Sequence, residues 1–314
     1  MFSPIHAGEK IMKPSSFFPL LLAVIFVTTD CAQTARASDA ETLRTLGAQV
    51  TEADGAIIKI SFKDCSKLGA VEFRLIGGLK TLKSLTLYGQ CRGLTDETLA
   101  FFAGLTALEE LGTDGIQVTD AGLKQLAALP NLRSASFFHI AYPDKGFTGA
   151  GFAAFKTLPK FERLTVAGTP FNDKGMAAIA ELTQLRDFRT WHTYQTQAGN
   201  EQLLKLTHLR SLTLGQRLRQ WNGKPNPLSI DDATLATLAK MKSLESLALD
   251  EVRLTHAALV QLKALPNLKK LSLQRADISE ADIAKLRADL PGVTIEWKPL
   301  TAEERKALEG MLKL

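Results

Sequence analysis

The sequence predicts an α/β solenoid, a curved horseshoe with a parallel β-sheet on its concave side and helices on its convex side. Three observations carry that prediction. Leucine supplies 50 of the 314 residues. An apolar motif, in its fullest form Leu79-x2-Leu82-x2-Leu85-x-Leu87, returns every 24 to 29 residues, with one jump of 35. Each return is followed by a residue with a short side-chain oxygen and then by apolar residues at helical spacing. Units of that length hold one strand and one helix, and none can bury its apolar face alone.

The chain opens with a segment set apart from the repeat. Lys10 and Lys13 precede an apolar run from Phe17 to Val27, and Ala35-Arg36-Ala37 follows it. The run is far shorter than the roughly 20 residues of a membrane-spanning helix. A charged segment, a short apolar segment and a small-residue site read as a signal peptide over residues 1–37, cut after Ala37, with Met1 or Met12 as the start. A lipid anchor on Cys31 is the rival, disfavoured by Asp30 in front of it. Cleavage lowers the formal charge from +5 to +4, too mild an excess to point to nucleic acid.

Residues 38–56 are expected to cap the array, with a short helix over residues 39–50. The strands then follow as Ile57/Ile60/Phe62, Leu79/Leu82/Leu85/Leu87, Leu105/Leu108/Leu111/Thr113, Leu132/Ala135/Phe137, Phe161/Leu164/Val166, Leu185/Phe188/Thr190, Leu209/Leu212/Leu214, Leu244/Leu247/Leu249 and Leu268/Leu271/Leu273. Val293/Ile295/Trp297 is an irregular last strand. That makes about nine repeats plus a terminal strand over residues 57–297, ten parallel strands in all.

The convex halves start at Thr95, Thr119, Thr148, Asn172, Thr196, Asp231, Thr255 and Ser279, whose side-chain oxygens can accept a free N–H of a helix start. Stripes such as Leu123/Leu126/Leu129 and Met176/Ile179/Leu182 face the sheet, and Pro130, Pro159, Pro266 and Pro291 stop the segments. Asn200 stands where other units carry an apolar residue. It reads as a locally frayed helix, with a satisfied buried amide bridging neighbouring loops as the alternative. Thr301-Ala302-Glu303-Glu304 is a capping box that opens a C-terminal capping helix over residues 298–314, with Ala307, Leu308, Met311 and Leu312 as its apolar face.

These residues resemble the leucine-rich-repeat family, in its ribonuclease-inhibitor-like and cysteine-containing branches. Leu94-Thr95-Asp96-Glu97-Thr98-Leu99 and Val118-Thr119-Asp120-Ala121-Gly122-Leu123 are similar to the long arrays of secreted bacterial proteins and to the repeat halves of F-box substrate receptors. The resemblance implies a binding scaffold, and it leaves the ligand open. The family's asparagine ladder is missing: its place holds Cys65, Gln90, Ile116, Ile140, Thr169, Thr193, Arg217, Val252 and Ala276. Nothing resembles an F-box, so a substrate-adaptor role stays a distant alternative.

Cys65 and Cys91 survive signal cleavage and fall at neighbouring places of stacked units. A disulfide between them and a pair of free thiols are the two readings. No metal site is expected, since two cysteines without a nearby histidine do not complete a ligand set. The sequence contains no G-x-S-x-G, H-E-x-x-H, phosphate-binding or calcium-binding loop, so no catalytic residue and no cofactor is assigned.

Strand side chains alternate, so residues flanking the apolar strand positions face the concavity. Most are small and polar. The centre differs: Phe138 and Trp191 share a column with Ala167 between them, Arg163, Asp187 and Arg189 stand beside them, and His139, His192 and Tyr194 lie just past the strand ends. These eight, with Trp221, are the candidate ligand-binding residues. The competing reading is that Phe138 and Trp191 pack against nearby loops. Insertions at 140–147 and 215–229 interrupt the strand-to-helix rim, the first carrying Tyr142 and the second basic and carrying Trp221. The expected partner is a protein. Polysaccharide, gripped through Trp191, Trp221 or Tyr142, is the alternative. The mature chain has no second run long enough to span a membrane.

Overall fold

The computed structural model describes residues 39–140, 146–217 and 227–312. The signal peptide, Cys31 and the cleavage site lie outside the described residues, as do Tyr142 and Trp221. A helix at 39–45 (α1) leads into β1 (Gln49–Ala53), which pairs antiparallel with β2 (Ala56–Phe62). Nine further strands follow: β3 (Ser84–Leu87), β4 (Glu110–Asp114), β5 (Ser134–Phe138), β6 (Arg163–Ala167), β7 (Asp187–Trp191), β8 (Ser211–Gly215), β9 (Ser246–Asp250), β10 (Lys270–Gln274) and β11 (Thr294–Trp297). All eleven form one open sheet in sequence order, and β2 to β11 run parallel. This is the α/β solenoid that the repeat predicts.

β1 is an addition to the expected ten strands. Asp54 and Gly55 both take positive φ, 51° and 70°, the backbone of a two-residue hairpin turn for which Asp-Gly is a favoured pair. The antiparallel strand covers an edge that the first parallel strand would otherwise leave open.

The register follows the leucine spacing. Leu85, Leu111, Ala135, Leu164, Phe188, Leu212, Leu247, Leu271 and Ile295 align strand by strand. The column two residues on is Leu87, Thr113, Phe137, Val166, Thr190, Leu214, Leu249, Leu273 and Trp297. Apart from Ile295 and Trp297 on the edge strand, these side chains are buried. Units 5 to 7 are packed with phenylalanine: Phe155 meets Phe161 at 5.0 Å, Phe152 meets Phe155 at 5.4 Å, and Phe171 meets Phe188 at 6.4 Å between ring centres. The middle of the sheet therefore rests on a stiff aromatic bed.

The opposite face carries α2 (Ala70–Gly77), α3 (Asp96–Leu99), α4 (Asp120–Gln125), α5 (Asp173–Ile179), α6 (Gln197–Glu201), α7 (Asp232–Leu238), α8 (His256–Leu259) and α9 (Glu280–Asp289). Most are one or two turns long, several run on as 3-10 turns, and the unit after β5 has only a 3-10 stretch, Ala150–Thr157. Seven of the eight expected cap oxygens accept a helix-start N–H, from Thr95 (3.5 Å from Thr98 N) to Ser279 (3.1 Å from Asp282 N). Thr196 does not; its hydroxyl is given to Asp173 at 2.7 Å.

That bond belongs to a system of carboxylates that tie the helix starts of adjacent units. The aspartate following the cap reaches to the next unit: Asp96 to Thr119, Asp120 to Thr148, Asp173 to Thr196 and Asp232 to Thr255, each taking both the backbone N–H and the hydroxyl. Of the seven junctions from Thr95 to Ser279, three lack the aspartate, because Gly149, Gln197 and His256 occupy its place.

Asn200 is buried within a formed α6, and its amide donates to Ser229 O at 2.6 Å. A bridging amide, not a frayed helix, describes this unit, but it is satisfied on its nitrogen alone, since Oδ1 is buried without a hydrogen-bond partner among the described residues. Cys65 and Cys91 are buried free thiols, so the disulfide reading does not describe the structure. Their mutual hydrogen bond and burial push the Cys91 thiol far up from its ordinary value. At the C-terminal end, Thr301 and Glu304 exchange the two capping-box bonds (2.9 and 3.1 Å) at the start of α10 (Ala302–Leu312). Leu308 and Leu312 are buried and Met311 is half-buried, whereas Ala307 is exposed. Arg305 pairs with Asp277, and Glu309 pairs with Arg253 at 3.0 Å. Among the described residues no helix is long and apolar enough to cross a membrane.

Candidate functional site

The last residues of the strands make one column across the sheet: Tyr88, Asp114, Phe138, Ala167, Trp191, Gly215 and Asp250, counting the residue just past β3. The rings stand on alternate strands and meet across Asp114 and Ala167, which lie between them. Phe138 and Trp191 have centroids 6.1 Å apart at 54°, and Tyr88 meets Phe138 edge-on at 5.9 Å and 88°. Ala167 is buried beneath the pair. A side chain at Gly215 would put its Cβ 2.4 Å from Trp191 Cβ, so the glycine there leaves the indole room. The result is a ridge of three rings, with Tyr88 39% exposed and Phe138 and Trp191 half-exposed.

Tyr88 completes the ridge but is absent from the candidate set. Its place in the same column is the signal that would have found it. Its phenol is pushed up from the ordinary value, first by burial and then by the Asp114 carboxylate.

The charged candidates split. Arg189 and Asp187, two residues apart on β7, form a two-pronged pair at 3.1 and 3.0 Å, and that bond holds the guanidinium pKa up. Arg163 is exposed on the neighbouring strand and only 4.0 Å from Glu162. Arg189 stands two residues before Trp191 on β7, whereas Arg163, at the start of β6, is four residues from the ridge column. Tyr194 does not belong to it. Its backbone N–H bonds to Phe171 O at 2.6 Å, and its phenol oxygen is buried.

His139 and His192 occupy a position with its own backbone rule. One residue past the strands, Gly89, Gly115, His139, Gly168, His192, Glu251 and Arg275 all have positive φ. For a non-glycine residue that conformation costs about 1 kcal/mol or more. The four non-glycine members all enter polar contacts along the rim. His139 Nδ1 is 2.7 Å from Asp114, His192 Nε2 is 2.7 Å from Glu251, and Glu251 is 3.0 Å from Arg275.

Gln216 is the unit that departs. It is buried and turns its amide into the base of the 215–229 insertion. Its oxygen accepts from Ser229 N (2.8 Å) and Ile230 N (3.2 Å), and its nitrogen donates to Ile230 O (2.8 Å). Arg217 beside it is also buried. Desolvation pulls its guanidinium pKa down against the field of Asp173 and Tyr194. Arg217 therefore offers no exposed positive charge; Arg219, Trp221 and Lys224 of the insertion lie outside the described residues. Among the described residues no three His, Cys, Asp or Glu side chains converge as a metal-ligand set.

No protein-family model matches the chain, and no curated protein matches it. Among solved structures, an internalin from Listeria monocytogenes aligns at 19% identity over 73% of this chain and 71% of that one, with TM-score 0.47. Internalin C2 of the same organism aligns at 20% over 73% and 84%, with TM-score 0.46. A leucine-rich-repeat protein from Leptospira interrogans aligns at 18% over 76% of this chain, which spans 58% of that protein's length, with TM-score 0.40.

Proposed function

We propose that this leucine-rich-repeat solenoid is an exported, non-catalytic scaffold that binds a protein partner on its concave face, centred on Tyr88, Phe138 and Trp191. The observation that carries this reading is the ring ridge. Three aromatic side chains stand solvent-facing on a rigid sheet, over a phenylalanine-packed core, with Arg189 two residues from Trp191. Aromatic and arginine side chains concentrate binding energy at protein interfaces, and a pre-ordered site loses little entropy on association.

The ring geometry favours a protein over a polysaccharide. Edge-on and tilted packing at 88° and 54° makes a corrugated surface suited to apolar side chains, not the flat platform on which a sugar ring stacks. Export rests on the sequence pattern of residues 1–37.

The test is affinity capture from the native envelope or medium with wild type and Trp191→Ala, followed by mass spectrometry. The substitution is expected to lower partner affinity about tenfold or more with the thermal midpoint nearly unchanged. Undiminished capture by Trp191→Ala, or selective binding on a glycan array, would overturn the reading.

A further inference from the structure

The edge opposite the strand-to-helix rim carries a row of charge. One residue per unit stands immediately before each strand, and the row is continuous through the backbone. Glu109 N–H donates to Lys83 O, Arg133 to Glu109, Glu162 to Arg133, Arg186 to Glu162, Arg210 to Arg186, Glu245 to Arg210 and Lys269 to Glu245, all at 2.8 to 2.9 Å. Adjacent members therefore sit about 4.8 Å apart, the strand spacing.

Their signs alternate: Lys83, Glu109, Arg133, Glu162, Arg186. The alternation then fails, because Arg210 follows Arg186 directly, and it resumes with Glu245 and Lys269. Like charges on neighbouring strands repel. Arg133 lies 3.5 Å from Glu109, Arg210 lies 3.6 Å from Glu245, and Lys269 lies 2.8 Å from Glu245. Arg186 has no ion pair among the described residues, although it stands beside Glu162, whose carboxylate lies 4.0 Å from Arg163.

An open groove of about 490 Å³ borders this break on its Arg186 side, lined among others by Arg133, Lys160, Glu162, Gln184, Arg186 and His208, with Arg210 just outside the lining. Lys160 is hydrogen-bonded only to the neutral Asn131, at 2.6 Å. Gln184 has already given its amide nitrogen to the carbonyls of Phe155 and Leu158.

We propose that this groove docks an acidic segment of a protein, one carboxylate of which pairs with Arg186 at the edge of the groove facing Arg210, where the alternation fails. Guanidinium groups match carboxylates in geometry as well as charge, and every other base of the row from Arg133 onward already has a carboxylate of this chain within 4 Å. Of the two rings in the lining, Phe161 is buried and His208 is a single imidazole, so the groove has no succession of exposed rings for nucleobases. With Gln184 spent on the backbone, it supplies charge more than the neutral donors that a hydroxyl-rich sugar needs. The surface is separate from the ring ridge, and its test does not depend on the ridge.

Fluorescence anisotropy with a labelled alternating Glu-Ser peptide, on the full chain at low ionic strength, tests the proposal. The peptide is expected to bind, more weakly as salt rises to about 0.15 M. Arg186→Gln and Arg210→Gln are each expected to weaken binding about fivefold. Trp191→Ala, which removes a ridge ring, is expected to leave peptide binding unchanged, as is Lys124→Gln on the helical face. Arg186 is exposed and unpaired, so its removal leaves the fold intact. Absence of peptide binding at low salt, wild-type affinity in Arg186→Gln, or equally tight binding of polygalacturonate would each overturn it.

Discussion

Asp96, in the first turn of α3, accepts both the backbone N–H and the hydroxyl of Thr119, the residue that opens α4, at 2.8 and 2.6 Å. One carboxylate thus closes the helix start of the next unit while its own helix start is closed by Thr95. The most heavily engaged of these carboxylates is Asp120, which takes the N–H groups of Thr148, Gly149 and Gly151 and the Thr148 hydroxyl. Asp120→Ala strands several half-buried donors. Unfolding in urea should show a loss of about 3 kcal/mol, with Asp120→Asn recovering part of it. A loss under about 0.5 kcal/mol, the level of an ordinary surface change, would refute the coupling.

Gln216 pins both ends of the 215–229 insertion through Ser229 and Ile230. Gln216→Ala leaves buried N–H groups without an acceptor and should cost about 1 to 3 kcal/mol. Proteolysis should then cut the insertion earlier than in wild type, before any general unfolding. An unchanged cleavage pattern would mean the loop is held by other contacts.

The two thiols report on the N-terminal units. Cys65 and Cys91 are fully buried, and contact with Cys65 plus burial holds the Cys91 thiol in its protonated form. In a chain of residues 38–314 at pH 8, a thiol reagent should label neither in the native state and both after denaturation without reductant. No label after denaturation would reveal a disulfide, and rapid native labelling would contradict the burial.

Asp289 lies between Lys263 at 2.7 Å and His256 at 2.8 Å, and these partners, Lys263 first, hold its carboxyl below the ordinary value. A carboxyl depressed in the folded state stabilises above its unfolded pKa, about 3.9, and loses that contribution as pH falls through the folded value. The site is exposed, so salt weakens the effect. Asp289→Asn should melt slightly lower than wild type at pH 7, with the gap closing in acid below about pH 4. A gap that persists in acid would assign the loss to packing.

Much of the solenoid was legible because leucine spacing and cap oxygens are local signals. Leu85, Leu111 and Leu164 announce their register through spacing alone, and Thr95 or Asp231 announces a helix start one residue ahead. What escaped is what depends on a neighbour one unit away. Asp96 reads as a first-turn carboxylate, and only stacking shows that it serves Thr119. Asn200 reads as a fault until Ser229 is placed beside it. Phe138 and Trp191 were visible as a column of exposed rings, but Tyr88 joins them only because its ring leans across Asp114. β1 carried its own signal, the Asp54-Gly55 turn, outside the repeat frame. The break between Arg186 and Arg210 is written in the sequence, yet it becomes a break only when backbone bonds line the row up.

The aspartate links also set where this molecule comes apart. They tie the units of β3, β4 and β5 together, then those of β6 and β7, then those of β8 and β9, and each group ends at Gly149, Gln197 or His256. A chain stacked unit on unit opens most readily at its weakest junctions. Pulled from its ends or warmed toward melting, it should open first at the Gly149 seam, since the buried Asn200–Ser229 bond spans the Gln197 seam and the Arg253–Asp277 and His256–Asp289 pairs span the His256 seam. The ring ridge, which runs from β3 to β7, straddles the first of them.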